Sequence, residues 1–255
     1  MIYDLYQAQA DLLLPFRQVA RFGAGLAEIM ESGCCCARAS SLRHLQASWR
    51  LFAETGLTHS RPSFGIDTVD VGNRLVGVTE EAADDTPFGT LLHFRKDANI
   101  VQPRVLLVAP MSGHFATLLR NTVEVMLPEH DMYITDWKNA RDVPLSAGKF
   151  GLDEFVEHLM RFLAVMGPGS HIVAVCQPAV AALAAVALMA EDGNPAQPRS
   201  MTLMAGPIDT RVNPTKVNEL AMSRSIRWFE KNLIGRVPWG FPGAGWRVYP
   251  GFLQL

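Results

Sequence analysis

Residues 171–180 have the sequence HIVAVCQPAV, and this stretch decides how the rest of the chain is interpreted. The run from His171 to Val175 is apolar and β-branched, which is typical of a buried strand. The run Ala179–Ala190 that follows is typical of a buried helix. Apolar character over this whole length would suit a membrane span, which needs about 20 residues. Gln177 and Pro178 interrupt it, so a strand followed by a helix is the better interpretation.

Short apolar runs on both sides of this stretch predict further strands. They are RVLLVAP at 104–110, DMYITDW at 131–137 and SMTLMAG at 200–206. Helical patterns separate them at 115–127 and 152–166, and Asp153 and Glu154 favour the first turn of the second helix. Strand and helix therefore alternate, an order that is typical of a parallel, doubly wound sheet.

An antiparallel start comes before this alternation. Residues 66–80 alternate between apolar and polar, with a turn signal at Gly72-Asn73, and FGTLLHF at 88–94 predicts a further strand. A hairpin followed by alternating strands and helices is the order of an α/β-hydrolase. We therefore predict an α/β fold of this type. The chain ends at PGFLQL with no closing strand and helix, so we expect the C-terminal part of that fold to be missing.

The same patterns predict three segments. Residues 1–60 form an N-terminal helical segment, which is helical to about Glu54, with a loop at 32–36. Residues 61–210 form the hydrolase-like core. Residues 211–255 start a helical cap or lid, which is helical from about Pro214 to Ile234.

Composition narrows the possible partners and location. The chain has 255 residues, 49% of them apolar, and a net charge of −2. It has no basic patch, so we expect no nucleic-acid partner. Its start lacks a charged and apolar leader, which favours a cytoplasmic location. We also predict no cofactor and no metal: the run Cys34-Cys35-Cys36 has no partner cluster nearby, and it predicts surface or half-buried thiols.

Cys176 is a candidate nucleophile. In α/β-hydrolases the nucleophile occupies a sharp turn between strand and helix, within the pattern small-x-nucleophile-x-small. Here the turn is Ala174-Val175-Cys176-Gln177-Pro178, and proline suits the first turn of a helix. A thiol at a helix N-terminus lies at the positive end of the helix dipole, which favours the thiolate. The alternative is a small buried thiol, the commoner fate of a free cysteine.

An oxyanion hole would complete this turn. The backbone N–H of Gln177 is one candidate donor. The second should come from the loop APMSGH at 109–114, with Met111 the first choice and Ser112 the next. His114 in the same loop is a candidate substrate contact.

A general base is harder to find. All seven histidines precede Cys176, whereas hydrolases place the catalytic histidine after the nucleophile and the acid. Asp209 follows a predicted strand and is a candidate substrate contact, although capping of the turn before Pro214 explains it more simply.

Several long strings give the chain a family resemblance. SGHFATLLR at 112–120, YITDWKNARDVPL at 133–145 and AVCQP at 174–178 resemble the intracellular poly(3-hydroxybutyrate) depolymerases, and the likeness extends from MIYDLYQAQ to PGFLQL. Residues 32–40 match least. The resemblance implies an α/β-hydrolase that cleaves the ester bonds of stored polyhydroxyalkanoate to 3-hydroxybutyrate oligomers and monomer, through an acyl-cysteine at Cys176.

The resemblance also implies that the catalytic Asp and His lie further downstream and are not present in this chain. We therefore expect the 255-residue chain to be truncated and weakly active or inactive. The implied partner is the polyester or the granule surface, with a location in the cytoplasm, possible association with storage granules, and an undetermined oligomeric state.

Three alternatives remain open. A polyester synthase or acyltransferase uses the same cysteine turn and differs in the acceptor of the acyl group. A non-catalytic granule-associated protein would use apolar surface at residues 12–16 (LLLPF) and around Trp228, Trp239 and Trp246. A poorly folded fragment is the third.

Overall fold

The structure, a computed structural model, describes residues 2–33, 40–54, 61–111 and 115–251 of the chain. It divides into two compact units, residues 1–60 and residues 61–255. Each unit is described by itself below.

The first unit is a pair of helices, α1 (Ile2–Gly33) and α2 (Ser40–Glu54). They pack closely: a β-carbon added to Gly23 would lie 2.0 Å from the Trp49 ring. The helices predicted to about Glu54 are confirmed. The loop predicted at 32–36 is wrong at its start, because α1 continues to Gly33. Cys34, Cys35 and Cys36 lie outside the described residues.

The second unit is built on a sheet of seven strands. They are β1 (Thr68–Val71), β2 (Arg74–Asp85), β3 (Gly89–Lys96), β4 (Arg104–Val108), β5 (Asp131–Trp137), β6 (His171–Val175) and β7 (Ser200–Met204). Their order is β1-β2-β3-β5-β4-β6-β7. The pairs β1–β2, β2–β3 and β3–β5 are antiparallel, and the strands from β5 across to β7 are parallel. The predicted hairpin, alternation and mostly parallel sheet are confirmed.

Helices cover both faces of this sheet. One face packs on α4 (Leu152–Met166) and α5 (Pro178–Glu191), and the other packs on a 3₁₀ turn (Ala116–Leu119) that continues into α3 (Arg120–Met126). The sequence predicted a single helix at 115–127, and its first turn is 3₁₀ instead. Strands buried on both faces explain why β4 and β6 are apolar along their length.

The segment after β7 differs from the prediction. It holds two short helices, α6 (Lys216–Ser223) and α7 (Ile226–Asn232), and then a small ladder between β8 (Gly235–Arg236) and β9 (Arg247–Val248). The helical character predicted from about Pro214 to Ile234 is confirmed, but it is divided in two. Ser225 takes an extended conformation and accepts a hydrogen bond from the Trp228 N–H, which starts a new helix. The ladder lies within residues 211–255, where the sequence predicts the start of a helical cap or lid, and that domain assignment stays a prediction.

The residues between β8 and β9 pack on the loop that follows β5. The Trp246 indole N–H donates to the Val143 carbonyl at 2.7 Å. A β-carbon added to Gly243 would lie 2.1 Å from the Ala140 carbonyl oxygen, so only glycine allows this approach. This contact brings the segment between β8 and β9 to the edge of the sheet where the parallel strands finish.

Within the described residues, no helix is both long enough and apolar enough to cross a bilayer. In that same part of the chain, no group of three or more His, Cys, Asp or Glu side chains is placed to hold a metal ion.

Candidate active site

Cys176 lies in a strained turn between β6 and α5. Its φ is +67°, a left-handed conformation that costs a residue with a β-carbon roughly 1–2 kcal/mol. The residue is exposed, so the alternative of a buried thiol is not what the structure shows. Strain of this kind at a strand-to-helix turn is the geometry that presents a nucleophile in α/β-hydrolases.

The neighbouring strand holds this turn in place. The Cys176 N–H donates to the Met204 carbonyl at the end of β7, at 2.8 Å. A β-carbon added to Gly206 would lie 2.1 Å from the Ala179 β-carbon and 3.1 Å from the Cys176 carbonyl oxygen. Small residues at these positions let β7 and the turn approach closely, and the sequence analysis did not single out Gly206.

The start of α5 leaves one backbone donor open beside the thiol. Pro178 occupies the first turn of the helix, as the sequence predicted, and Gln177 is the N-cap. Among the described residues, no acceptor bonds the Gln177 N–H. An open N–H directly after the nucleophile is the first donor that an oxyanion hole requires.

The loop after β4 starts next to the end of the strand that leads into this turn. β4 pairs in parallel with β6, and their last pair is Val108 with Ala174, two positions before Cys176. The chain then passes through Ala109 and Pro110 to Met111, which is exposed. In the described part of the chain nothing accepts a hydrogen bond from the Met111 N–H.

Two further candidates from this loop, Ser112 and His114, lie outside the described residues. Their roles as an oxyanion donor and a substrate contact stay predictions.

Two side chains of β5 hold the start of this loop, and the sequence analysis missed both. The Ala109 N–H donates to the Thr135 hydroxyl at 3.0 Å, and the Trp137 indole N–H donates to the Ala109 carbonyl at 3.0 Å. No local sequence signal marks them, because the partners are 26 and 28 residues apart.

Asp209 is engaged by a neighbour. Its carboxylate accepts two hydrogen bonds from the Arg211 guanidinium, at 2.8 and 2.9 Å, and one from the Arg211 backbone N–H at 3.0 Å. These hydrogen bonds hold the pKa of Asp209 below its usual value. The arrangement is the turn that the sequence offered as the simpler explanation, and a substrate contact at Asp209 stays a prediction.

The described histidines of the second unit bond elsewhere than at the thiol. The ring nitrogens of His93 contact Asp131 and Glu81, and a ring nitrogen of His130 contacts the Met126 carbonyl. Those of His158 contact the Glu154 carbonyl and Thr86, and one of His171 contacts Ser200. Since β6 begins at His171 and Cys176 follows its other end, that histidine is separated from the thiol by the length of the strand. None of these four residues is placed as the base.

The strand order and the cysteine turn define the class of protein: the second unit has an α/β-hydrolase-like fold, with its strained turn after a central parallel strand. A family comparison goes further for one part of the chain. Residues 205–255 match the family described as "PHB de-polymerase C-terminus". This match confirms the predicted resemblance to poly(3-hydroxybutyrate) depolymerases for those residues.

Solved structures of two hydrolases are similar to the chain at low identity. Naproxen esterase (carboxylesterase NP) from Bacillus subtilis is 13% identical, with a TM-score of 0.40 over 62% of this chain and 55% of that one. A provisionally assigned lipase from Acinetobacter baumannii AYE is 14% identical, with a TM-score of 0.40 over 70% of this chain and 56% of that one. The chain therefore spans just over half the length of these structures. No curated protein sequence matches it significantly.

Proposed function

We propose that the chain is a carboxylic ester hydrolase of the polyhydroxyalkanoate depolymerase kind, with Cys176 as its nucleophile. One observation carries the proposal: an exposed cysteine is held at positive φ at the end of a central parallel strand and is followed by the open N–H of Gln177. The Met111 N–H, also open, belongs to the loop after the neighbouring strand β4. The match of residues 205–255 supports a polyester of 3-hydroxyalkanoates as the substrate.

The reaction follows from these groups. The Cys176 thiolate attacks the ester carbonyl carbon, and the carbonyl oxygen becomes an oxyanion that accepts hydrogen bonds from the two N–H groups. The intermediate collapses with cleavage of the C–O bond, and the departing alkoxide takes a proton from solvent to become the hydroxyl end of the polymer. Water then attacks the thioester, which releases the carboxylic acid and restores the thiol.

The proton of the thiol has no histidine to receive it among the described contacts. The first step then depends on the fraction of Cys176 that loses its proton to solvent. The second step, hydrolysis of the thioester, lacks a base to activate water. We therefore expect a stoichiometric acyl-cysteine that turns over slowly.

The test is acylation of the chain by p-nitrophenyl butyrate, followed by mass spectrometry of the peptide that carries Cys176. We expect one butyryl group on this peptide and none on the corresponding peptide of Cys176→Ala. Thr90→Val on β3 is the control: its hydroxyl donates to Asp85 at the surface, so the variant should be acylated like the natural chain. Butyrylation of another residue in place of Cys176 would overturn the assignment.

A polyester synthase would form the same acyl-cysteine, and the turn does not distinguish the two. Incubation of the chain with a 3-hydroxybutyryl thioester distinguishes the two activities. Growth of an oligomer indicates that a hydroxyl group accepts the acyl group, as in a synthase, and release of 3-hydroxybutyrate indicates that water does, as in a hydrolase.

Apolar surface on the first unit supports a second role, attachment to a polyester granule. On α1, Leu12 is 70% exposed and Phe16 is 60% exposed. In the second unit, Trp239 is 95% exposed. Contiguous exposed apolar side chains mark interaction surfaces, and Leu12 and Phe16 are neighbours one turn apart on α1. An uncharged polyester suits α1 better than an anionic lipid does, because its sequence holds four acidic and two basic residues.

A further inference from the structure

Two side chains of β5, outside the cysteine turn, bind the loop after β4 that carries the second candidate oxyanion donor. We propose that Thr135 and Trp137 are positioning residues, which fix the backbone of the loop after β4 so that the Met111 N–H faces the oxyanion. The proposal rests on the proposed function, because it concerns the same site.

The ladder between β4 and β5 ends before this loop begins. Its last pair is Leu107 with Ile134, although β5 continues to Trp137. Beyond that pair, side chains of β5 form the hydrogen bonds to the chain that follows β4. Thr135 accepts from the Ala109 N–H and Trp137 donates to the Ala109 carbonyl, each at 3.0 Å. Both backbone polar groups of one residue are thus bound by one strand.

This double attachment fixes the peptide planes on both sides of Ala109. The next residue is Pro110, whose ring sets φ near −65° and restricts Ala109 to extended conformations. Only one free dihedral, the ψ of Pro110, then separates the fixed plane from the Met111 N–H. The direction of that donor is therefore largely set by two hydrogen bonds to β5.

The two side chains are themselves held rigidly. Thr135 has no solvent exposure, and its β-branch restricts its rotamer. The Trp137 ring packs edge to face on Phe155, with ring centroids 4.8 Å apart. Gly89 makes room for the indole, because a β-carbon there would lie 2.8 Å from the ring.

The experiment compares two reactions of the same thiol. Acylation of Cys176 by p-nitrophenyl acetate forms an oxyanion, whereas alkylation by iodoacetamide displaces iodide and forms none. Thr135→Val keeps the shape of the side chain and removes the acceptor for the Ala109 N–H. We expect acylation to slow by about tenfold or more, with alkylation unchanged.

Thr135→Ser should restore acylation, because the hydroxyl returns. Trp137→Phe tests the other hydrogen bond independently and should also slow acylation selectively. The control is Thr90→Val on β3, which removes a hydroxyl that donates to Asp85 at the surface. It should change neither reaction.

Other outcomes overturn the proposal. Equal loss of acylation and alkylation in both Thr135→Val and Trp137→Phe would mean that these residues support the fold and not the donor. Unchanged acylation in both would mean that the loop needs neither. If the natural chain is alkylated by iodoacetamide but never acylated at Cys176, the proposed function itself fails, and the positioning roles fail with it.

Discussion

Cys176 is the most informative single residue, because its backbone has a conformation that a residue with a β-carbon disfavours. A left-handed φ favours glycine, yet the position holds a thiol. We predict that Cys176→Gly unfolds at higher denaturant than Cys176→Ala, by about 1 kcal/mol in free energy of unfolding, because glycine relieves the strain while both lack the thiol. Urea unfolding of the two variants measures this difference.

The control for this comparison lies in a helix. Gly25→Ala in α1 adds a methyl group where no atom lies within 4 Å, so there alanine should be neutral or more stable than glycine. If Cys176→Gly is no more stable than Cys176→Ala, the turn does not store strain.

At the scale of elements, the approach of β7 to the start of α5 sets the shape of the turn. We predict that Gly206→Ala destabilises the second unit by about 1–3 kcal/mol, because its methyl group would overlap the Ala179 β-carbon, 2.1 Å away. The measurements are urea unfolding and the rate of Cys176 acylation, which should fall as the turn shifts. A variant as stable and as readily acylated as the natural chain would contradict this packing.

A histidine that contacts two carboxylates lies where β2, β3 and β5 pair. The ring nitrogens of His93 contact the Asp131 carboxylate at 2.7 Å and the Glu81 carboxylate at 3.1 Å, and only an imidazolium can donate to both. Burial by itself lowers the pKa of His93, but hydrogen bonds and charge from Asp131 and Glu81 outweigh it, and the net pKa is raised. Tyr133, which stacks on the ring at 4.2 Å, stays neutral because burial raises its pKa to about 12.

This arrangement predicts a stability that depends on pH. The raised pKa makes the contribution of His93 complete below about pH 6.5, the value for an unfolded histidine, and that contribution is lost as pH rises through the folded pKa. The free energy of unfolding should therefore fall over this range in the natural chain and fall less in His93→Gln. Equal pH dependence in the two would show that His93 is not bound as the cation.

At the scale of the whole molecule, attachment to polyester should depend on the exposed face of α1. We predict that the paired substitution Leu12→Glu and Phe16→Glu reduces co-sedimentation with poly(3-hydroxybutyrate) granules by about tenfold, because it removes apolar contact area and adds charge. The reaction of Cys176 with p-nitrophenyl butyrate should be unaffected.

The matched control is Gln9→Glu with Gln18→Glu, which adds the same charge at exposed polar positions of the same helix. It should sediment like the natural chain. Equal loss in both pairs would assign the effect to charge alone, and no loss in either would place the binding surface elsewhere.

The sequence by itself determined the regular strands and helices, because burial of one face requires apolar residues at a fixed spacing along the chain. The strands at 131–137 and 171–175 and the helix at 152–166 have the predicted bounds, since each must present apolar side chains at the spacing of its own backbone. The order of these elements also determined the sheet class, and the pattern around Cys176 identified the turn. The break at Ser225 and the ladder that follows it escaped prediction, because both are short and lack a period.

Only the tertiary structure decided the features that depend on distant partners. The φ of Cys176 is held by Met204 and by the space at Gly206, both on or after a different strand. The attachment of Ala109 to Thr135 and Trp137 depends on the register of β4 against β5, which no local spacing encodes. The sequence could point to Cys176 as a candidate nucleophile because the turn that presents it is local. The donors around it needed the sheet, because they come from loops that meet only when the strands have paired.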